Sequence, residues 1–183
     1  MSKHVEIENK DGFILRGYMH LPENAKRIVC MFHGFTGNKT EHNGHFRNLS
    51  RLLEKQGVAS IRMDYHGNGE SDGEFYDFNF DDALDDAKRI IAYAKSVEGI
   101  EEVCLLGFSF GGGVASLVAN DENCEKLVLI SAAANMPEIS RKRYDNALYI
   151  SLYGISSIDK FSEKIYLEIM KSKATTNCVS KFF

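Results

Sequence analysis

One pentapeptide restricts the fold of this chain more than any other stretch: Gly107-Phe108-Ser109-Phe110-Gly111, set between the apolar run EVCLLG (102–107) and the small-residue segment FGGGVASLVAN. A strand that turns sharply into a helix crowds its own backbone, and small residues flanking the serine relieve that crowding. The serine hydroxyl then projects at the edge of a sheet. Behind it the helix N-terminus offers free N–H groups and the positive end of a dipole to a developing oxyanion. This is the Gly-x-Ser-x-Gly elbow in the strand-turn-helix context it requires, which makes Ser109 the candidate nucleophile. A phosphate-cradling loop is the rival, given Gly111, Gly112 and Gly113, but no Lys-Ser/Thr pair follows and the G-x-G-x-x-G spacing is absent.

The rest of the chain supplies the sheet that such an elbow needs. Residues 4–9 and 13–21 alternate about Asp11-Gly12, a two-residue turn signal, and predict an N-terminal antiparallel hairpin. RIVCMF (27–32), VASIRM (58–63), EVCLLG and KLVLIS (126–131) are nearly unbroken apolar runs of strand length, suited to strands buried on both faces. Between them lie helical patterns. Phe46, Leu49, Leu52 and Leu53 recur at helical spacing and end at Gly57, while Phe80, Ala83, Leu84, Ala87, Ile90, Ile91 and Ala94 form one stripe with Asn79 as N-cap. Strands alternating with helices imply a mainly parallel sheet covered on both faces, with ligands outside the carboxyl ends of its strands. After Ser131 the pattern dissolves: 144–155 and 158–170 read as helices at best, and 132–183 as an irregular or helical cap or tail.

Two loops at the carboxyl ends of predicted strands complete the candidate site. His33-Gly34-Phe35-Thr36-Gly37 directly follows RIVCMF, where a second oxyanion donor belongs, so the backbone N–H groups of Phe35 and Phe110 are the candidate oxyanion hole. His33 is either a general base or, the better reading, a histidine that orients this loop by hydrogen bonds. The polar stretch Asp64 to Gly73 has the early offsets of a calcium loop, but its twelfth position is Phe75, where a bidentate glutamate is needed. It reads as a tight turn held by Asp64 and Ser71.

Composition excludes several function classes. Lys+Arg number 22 against 26 Asp+Glu, a formal charge of -4, which offers no basic footprint for nucleic acid or anionic lipid. The N-terminus is polar and no stretch reaches the length of a membrane span, so a cytoplasmic location is expected. Four cysteines show no ligand spacing; Cys30 and Cys104 lie in apolar runs and read as buried hydrophobes, Cys124 in a polar turn, Cys178 in the tail. No metal and no cofactor are expected.

Taken in order and spacing, the strand-HGFTGNK segment, the turn RMDYHGNGESDG and GFSFGGG resemble the α/β-hydrolases of the serine aminopeptidase S33-like group, and within it bacterial feruloyl and cinnamoyl esterases, over about residues 3–140. The resemblance implies an α/β-hydrolase fold with Ser109 as nucleophile, Phe35 and Phe110 at the oxyanion hole, and a small-molecule ester as substrate. In this group the triad runs serine, acid, histidine along the chain. Here no histidine follows Ser109, and Asp121, Asp145 and Asp159 follow no convincing strand. With 183 residues against the roughly 200–250 of comparable folds, a C-terminally truncated single domain lacking the last strands is expected. Two functions therefore stand: an ester hydrolase acting through an acyl-enzyme on Ser109, or a catalytically impaired fragment that keeps the pocket. Peptidase or acyltransferase chemistry shares the same triad logic. An open edge at KLVLIS would also favour self-association.

Overall fold

Side chains of a strand alternate between two faces, so a strand buried on both sides is apolar along nearly its whole length. The computed structural model of the protein describes residues 2–131 and 147–150. It contains strands β1 (Ser2–Glu8), β2 (Ile14–His20), β3 (Arg27–Phe32), β4 (Ala59–Met63), β5 (Glu102–Phe108), β6 (Lys126–Ile130) and β7 (Ala147–Ile150), with helices α1 (His45–Lys55), α2 (Phe80–Ser96) and α3 (Phe110–Asp121). All seven strands share one sheet in the order β1-β2-β4-β3-β5-β6-β7. β1, β2 and β4 pair antiparallel, and the pairs from β4 through β7 are parallel.

The unbroken apolar runs sort by period two onto two cores. Ile28, Cys30 and Phe32 of β3, with Leu105 of β5 and Leu127 and Leu129 of β6, pack beside Ala83, Ala87, Ile90 and Ile91 of α2 and Val114, Ala115 and Val118 of α3. Val29 and Met31, with Cys104, Leu106, Val128 and Ile130, meet Phe46, Leu49 and Leu53 of α1. The α2 stripe begins as its sequence predicts: the Asn79 side chain accepts the Asp82 N–H at 3.1 Å, and Asp81 and Asp82 occupy the first turn. In the β1–β2 turn Gly12 takes a φ of 84°, and the Asn9 side chain accepts the N–H groups of Asp11 and Phe13, each at 3.0 Å.

Chain order places the site. From β3 the chain moves to β4 on one side, then returns across β3 to β5 on the other. The carboxyl ends of β3 and β5 therefore flank a topological switch point, where open α/β sheets hold their ligands. The loop from His33 and the elbow at Ser109 both leave the sheet there.

One expectation needs correction. KLVLIS is not left as an open edge, because β7 pairs parallel to it, with Leu127 opposite Ala147 and Ile130 opposite Ile150. Helix or irregular chain was expected around these residues. A four-residue apolar run is too short for its period to distinguish strand from helix, which is why Ala147–Ile150 went unread. Among the described residues the sheet then ends at β7. Cys124 follows the turn at Glu122 and Asn123 and is buried, as are Cys30 and Cys104. Residues 158–170, the tail, Asp145, Asp159 and Cys178 lie outside the described residues.

Candidate active site

Ser109 stands between β5 and α3 with a φ of 51°, a left-handed conformation that serine seldom adopts. Ser131, after β6, shares a positive φ of 46°, so strain alone does not single out Ser109. The glycines around it do. A Cβ on Gly107 would overlap the Gly111 carbonyl, and one on Gly111 would overlap the Phe32 carbonyl oxygen and lie 2.5 Å from that of His33. The elbow is thus pressed against the end of β3, and both positions exclude a side chain. Three hydrogen bonds hold it: the Ser109 N–H donates to the Ile130 carbonyl at 2.9 Å, while the Ser109 carbonyl accepts Gly112 N–H at 3.0 Å and Gly113 N–H at 3.4 Å. Ser109, half-buried, stands immediately before α3, at the N-terminal end of the helix.

Across from it runs the loop His33 to Thr40. The His33 ring is 1% exposed, and both its nitrogens are engaged. Nε2 accepts the Tyr65 N–H at 3.4 Å, so in the neutral ring Nδ1 carries the proton and donates it to the Gly34 carbonyl at 2.9 Å. Burial holds the ring's pKa below its ordinary 6.5 and keeps it neutral. With both nitrogens committed, His33 orients its loop and has none to take the Ser109 proton. The same carbonyl accepts Gly37 N–H at 3.0 Å, and the Gly34 N–H donates to the Glu41 carboxylate at 2.5 Å.

The loop is fastened to the end of β4 by a buried ion pair. Asp64, 0% exposed, accepts the backbone N–H and the Nζ of Lys39, each at 2.5 Å, and the Glu70 N–H at 2.9 Å. Lys39 also meets the Glu70 carboxylate at 3.0 Å. Removing one partner of such a pair strands the other charge in the interior and costs about 3–5 kcal/mol. The Asp64–Gly73 stretch is the tight turn expected from its sequence, for the Ser71 hydroxyl donates to the Asp64 carbonyl at 2.8 Å. His66 is engaged by acidic partners: its Nδ1 lies 3.0 Å from Asp86, its Nε2 3.6 Å from Asp82, and its ring stacks on Phe13. Lys39, Glu41 and Asp86 escaped the sequence reading, because each acts on a residue distant in the chain or within a polar loop that has no period.

Aromatic rings floor the site. Phe35 lies 5.8 Å from Phe110 and 5.4 Å from Phe75 between ring centroids, and Phe110 also meets Phe78, Phe80 and Tyr65. Phe35 and Phe75 remain 58% and 43% exposed, an uncommon use of large apolar rings. Asp121 ends α3, which runs back from the elbow, and so sits at the far end of the sheet. Among the described residues no three His, Cys, Asp or Glu side chains gather as metal ligands. No helix among them is long and apolar enough to cross a membrane.

A mainly parallel sheet, a glycine-locked serine turn at its switch point and a glycine-containing loop after the neighbouring strand define the α/β-hydrolase fold. Residues 23–173 match the family pattern of the serine aminopeptidases, S33, and the chain belongs to that family. The AB hydrolase superfamily protein YisY of Bacillus subtilis (strain 168) is 36% identical over 111 residues, 59% of this chain and 38% of that protein. The structure of Est1E from Butyrivibrio proteoclasticus with ferulic acid bound superposes with a TM-score of 0.66 at 31% identity, over 75% of this chain and 56% of that one. XC6422 from Xanthomonas campestris, an α/β serine hydrolase without lid, gives a TM-score of 0.72 over 92% of this chain and 93% of its own, with 17% identity, a likeness of fold. The chain spans well under two thirds of YisY and of Est1E.

Proposed function

We propose that the site is built to hydrolyse carboxylic esters through an acyl-enzyme on Ser109. The observation that carries this is the Ser109 turn: a φ of 51°, locked by Gly107 and Gly111 at the start of α3 and beside the loop after β3. In the first step a bond forms between Ser109 Oγ and the carbonyl carbon, the bond to the alkoxy oxygen breaks, and the alcohol leaves with the serine's proton. Water then attacks the acyl-serine and releases the acid and the free hydroxyl. Negative charge on the carbonyl oxygen falls to the N–H groups of Phe35 and Phe110, each such donor being worth about 2.7–4 kcal/mol in a transition state. Exposed rings of Phe35 and Phe75 favour a flat aromatic acyl group, in keeping with the ferulic acid bound to Est1E.

The proton acceptor is a separate matter. No histidine follows Ser109 in the 183 residues, and His33 and His66 are engaged elsewhere. That engagement favours a second reading, in which these residues alone keep the pocket and oxyanion hole with little turnover. Binding and oxyanion stabilisation by themselves leave roughly 10³–10⁴ over water. On p-nitrophenyl acetate the chain is expected to work at that level, with Ser109→Ala changing little. Imidazole added to stand in for the base then accelerates the wild type and not Ser109→Ala. A full esterase rate without imidazole, lost in Ser109→Ala, would show that one of the described histidines serves as base.

A further inference from the structure

Glu41 has φ 57° and ψ 170°, a region that belongs almost solely to glycine. Strain of this kind persists where the surroundings hold it, and here the carboxylate shows what holds it. One oxygen accepts the Gly34 N–H at 2.5 Å, seven residues back, and the other accepts the His42 N–H at 3.0 Å. The Glu41 N–H donates to the Asn38 carbonyl at 2.9 Å and its carbonyl accepts the Gly44 N–H at 3.0 Å, so the backbone is fixed on both sides of the residue.

The consequence lies in two successive peptide planes. A trans peptide is rigid, and its C=O and N–H point in opposite directions. The first plane joins His33 to Gly34. Its carbonyl faces the Cα of Gly111 in the elbow, and its N–H is taken by Glu41. The second joins Gly34 to Phe35. Its carbonyl is held by Gly37 N–H and His33 Nδ1, which turns the Phe35 N–H the opposite way. Rotation of the first plane would swing the second, so the direction of the Phe35 N–H depends on both.

We propose that Glu41 is a positioning residue of the oxyanion hole: its carboxylate locks the His33–Gly34 peptide and thereby aims the Phe35 N–H. This rests on reading Phe35 and Phe110 as the oxyanion donors. Glutamate is held in a glycine's conformation here because glycine could adopt the backbone but could not supply the carboxylate.

Three variants separate the two roles. Glu41→Gly keeps the backbone without strain and removes the carboxylate; Glu41→Ala removes the carboxylate and keeps the strain; Glu41→Gln keeps one oxygen for the Gly34 N–H. For p-nitrophenyl acetate hydrolysis, Glu41→Gly and Glu41→Ala are expected to lower kcat by about 10- to 10²-fold with KM within about 2-fold, since a misplaced donor costs the transition state and not the bound substrate. Glu41→Gln recovers most of the rate. Amide exchange of Gly34 quickens in Glu41→Gly and Glu41→Ala, while Glu41→Gly unfolds at the wild-type temperature or above it. A wild-type kcat in Glu41→Gly, or losses of kcat that follow thermal stability across all three variants, would overturn the proposal. Failure of the underlying site takes another form: a wild-type chain with no hydrolysis above buffer, which removes the hole and the role given to Glu41 with it.

Discussion

His33 shows how a single side chain can look catalytic and be structural. It follows a strand, borders the serine elbow and titrates near neutrality in water, yet its two nitrogens are committed to Gly34 and Tyr65 inside the protein. Protonation would add a second N–H where the Tyr65 N–H already points. Burial therefore lowers the folded pKa below 6.5, and the unfolded chain binds the proton first. The stability this supplies is present above about pH 6.5 and is lost as pH falls through the lowered folded value. Urea midpoints measured between about pH 7.5 and 5.5 are expected to drop more steeply for the wild type than for His33→Gln, in which that titration is absent. Parallel slopes would show that His33 titrates alike in the folded and unfolded protein, its pKa not lowered by burial.

At the scale of elements, the sequence is readable where burial imposes a period and opaque where it does not. The runs RIVCMF, EVCLLG and KLVLIS announce β3, β5 and β6 because strands buried on both faces are apolar nearly throughout, and α2 is visible from its stripe and its Asn79 cap. Ala147–Ile150 offers only four apolar residues and became legible as β7 through its pairing with Leu127–Ile130. The elbow was legible for a different reason: close approach to Phe32 and His33 requires glycine at 111, and the motif records that requirement. Loops obey neither rule. The Lys39–Asp64 pair spans 25 residues and the Glu41–Gly34 bond lies within a polar loop, so only the fold brings their meaning out.

For the whole molecule, the sheet's outer strands set its behaviour in solution. β1 bounds one side; on the other, the sheet of the described residues ends at β7, a four-residue strand. An apolar edge is a template for another chain, and self-association through β7 is the expected result. Size exclusion at tens of micromolar should show dimers or larger species that diminish on Tyr149→Pro, since proline at a free edge blocks pairing; a stable monomer with slow amide exchange across 147–150 would argue against it. The account as a whole stands on Ser109, and its most direct test is chemical. Treatment with an alkyl fluorophosphonate in imidazole buffer, followed by peptide mass mapping, should place the phosphonyl group on Ser109 at least about 10²-fold faster than on Ser71 or Ser131, because the proposed oxyanion donors Phe35 and Phe110 are assigned to Ser109 alone. Labelling of Ser109 no faster than those serines would contradict it.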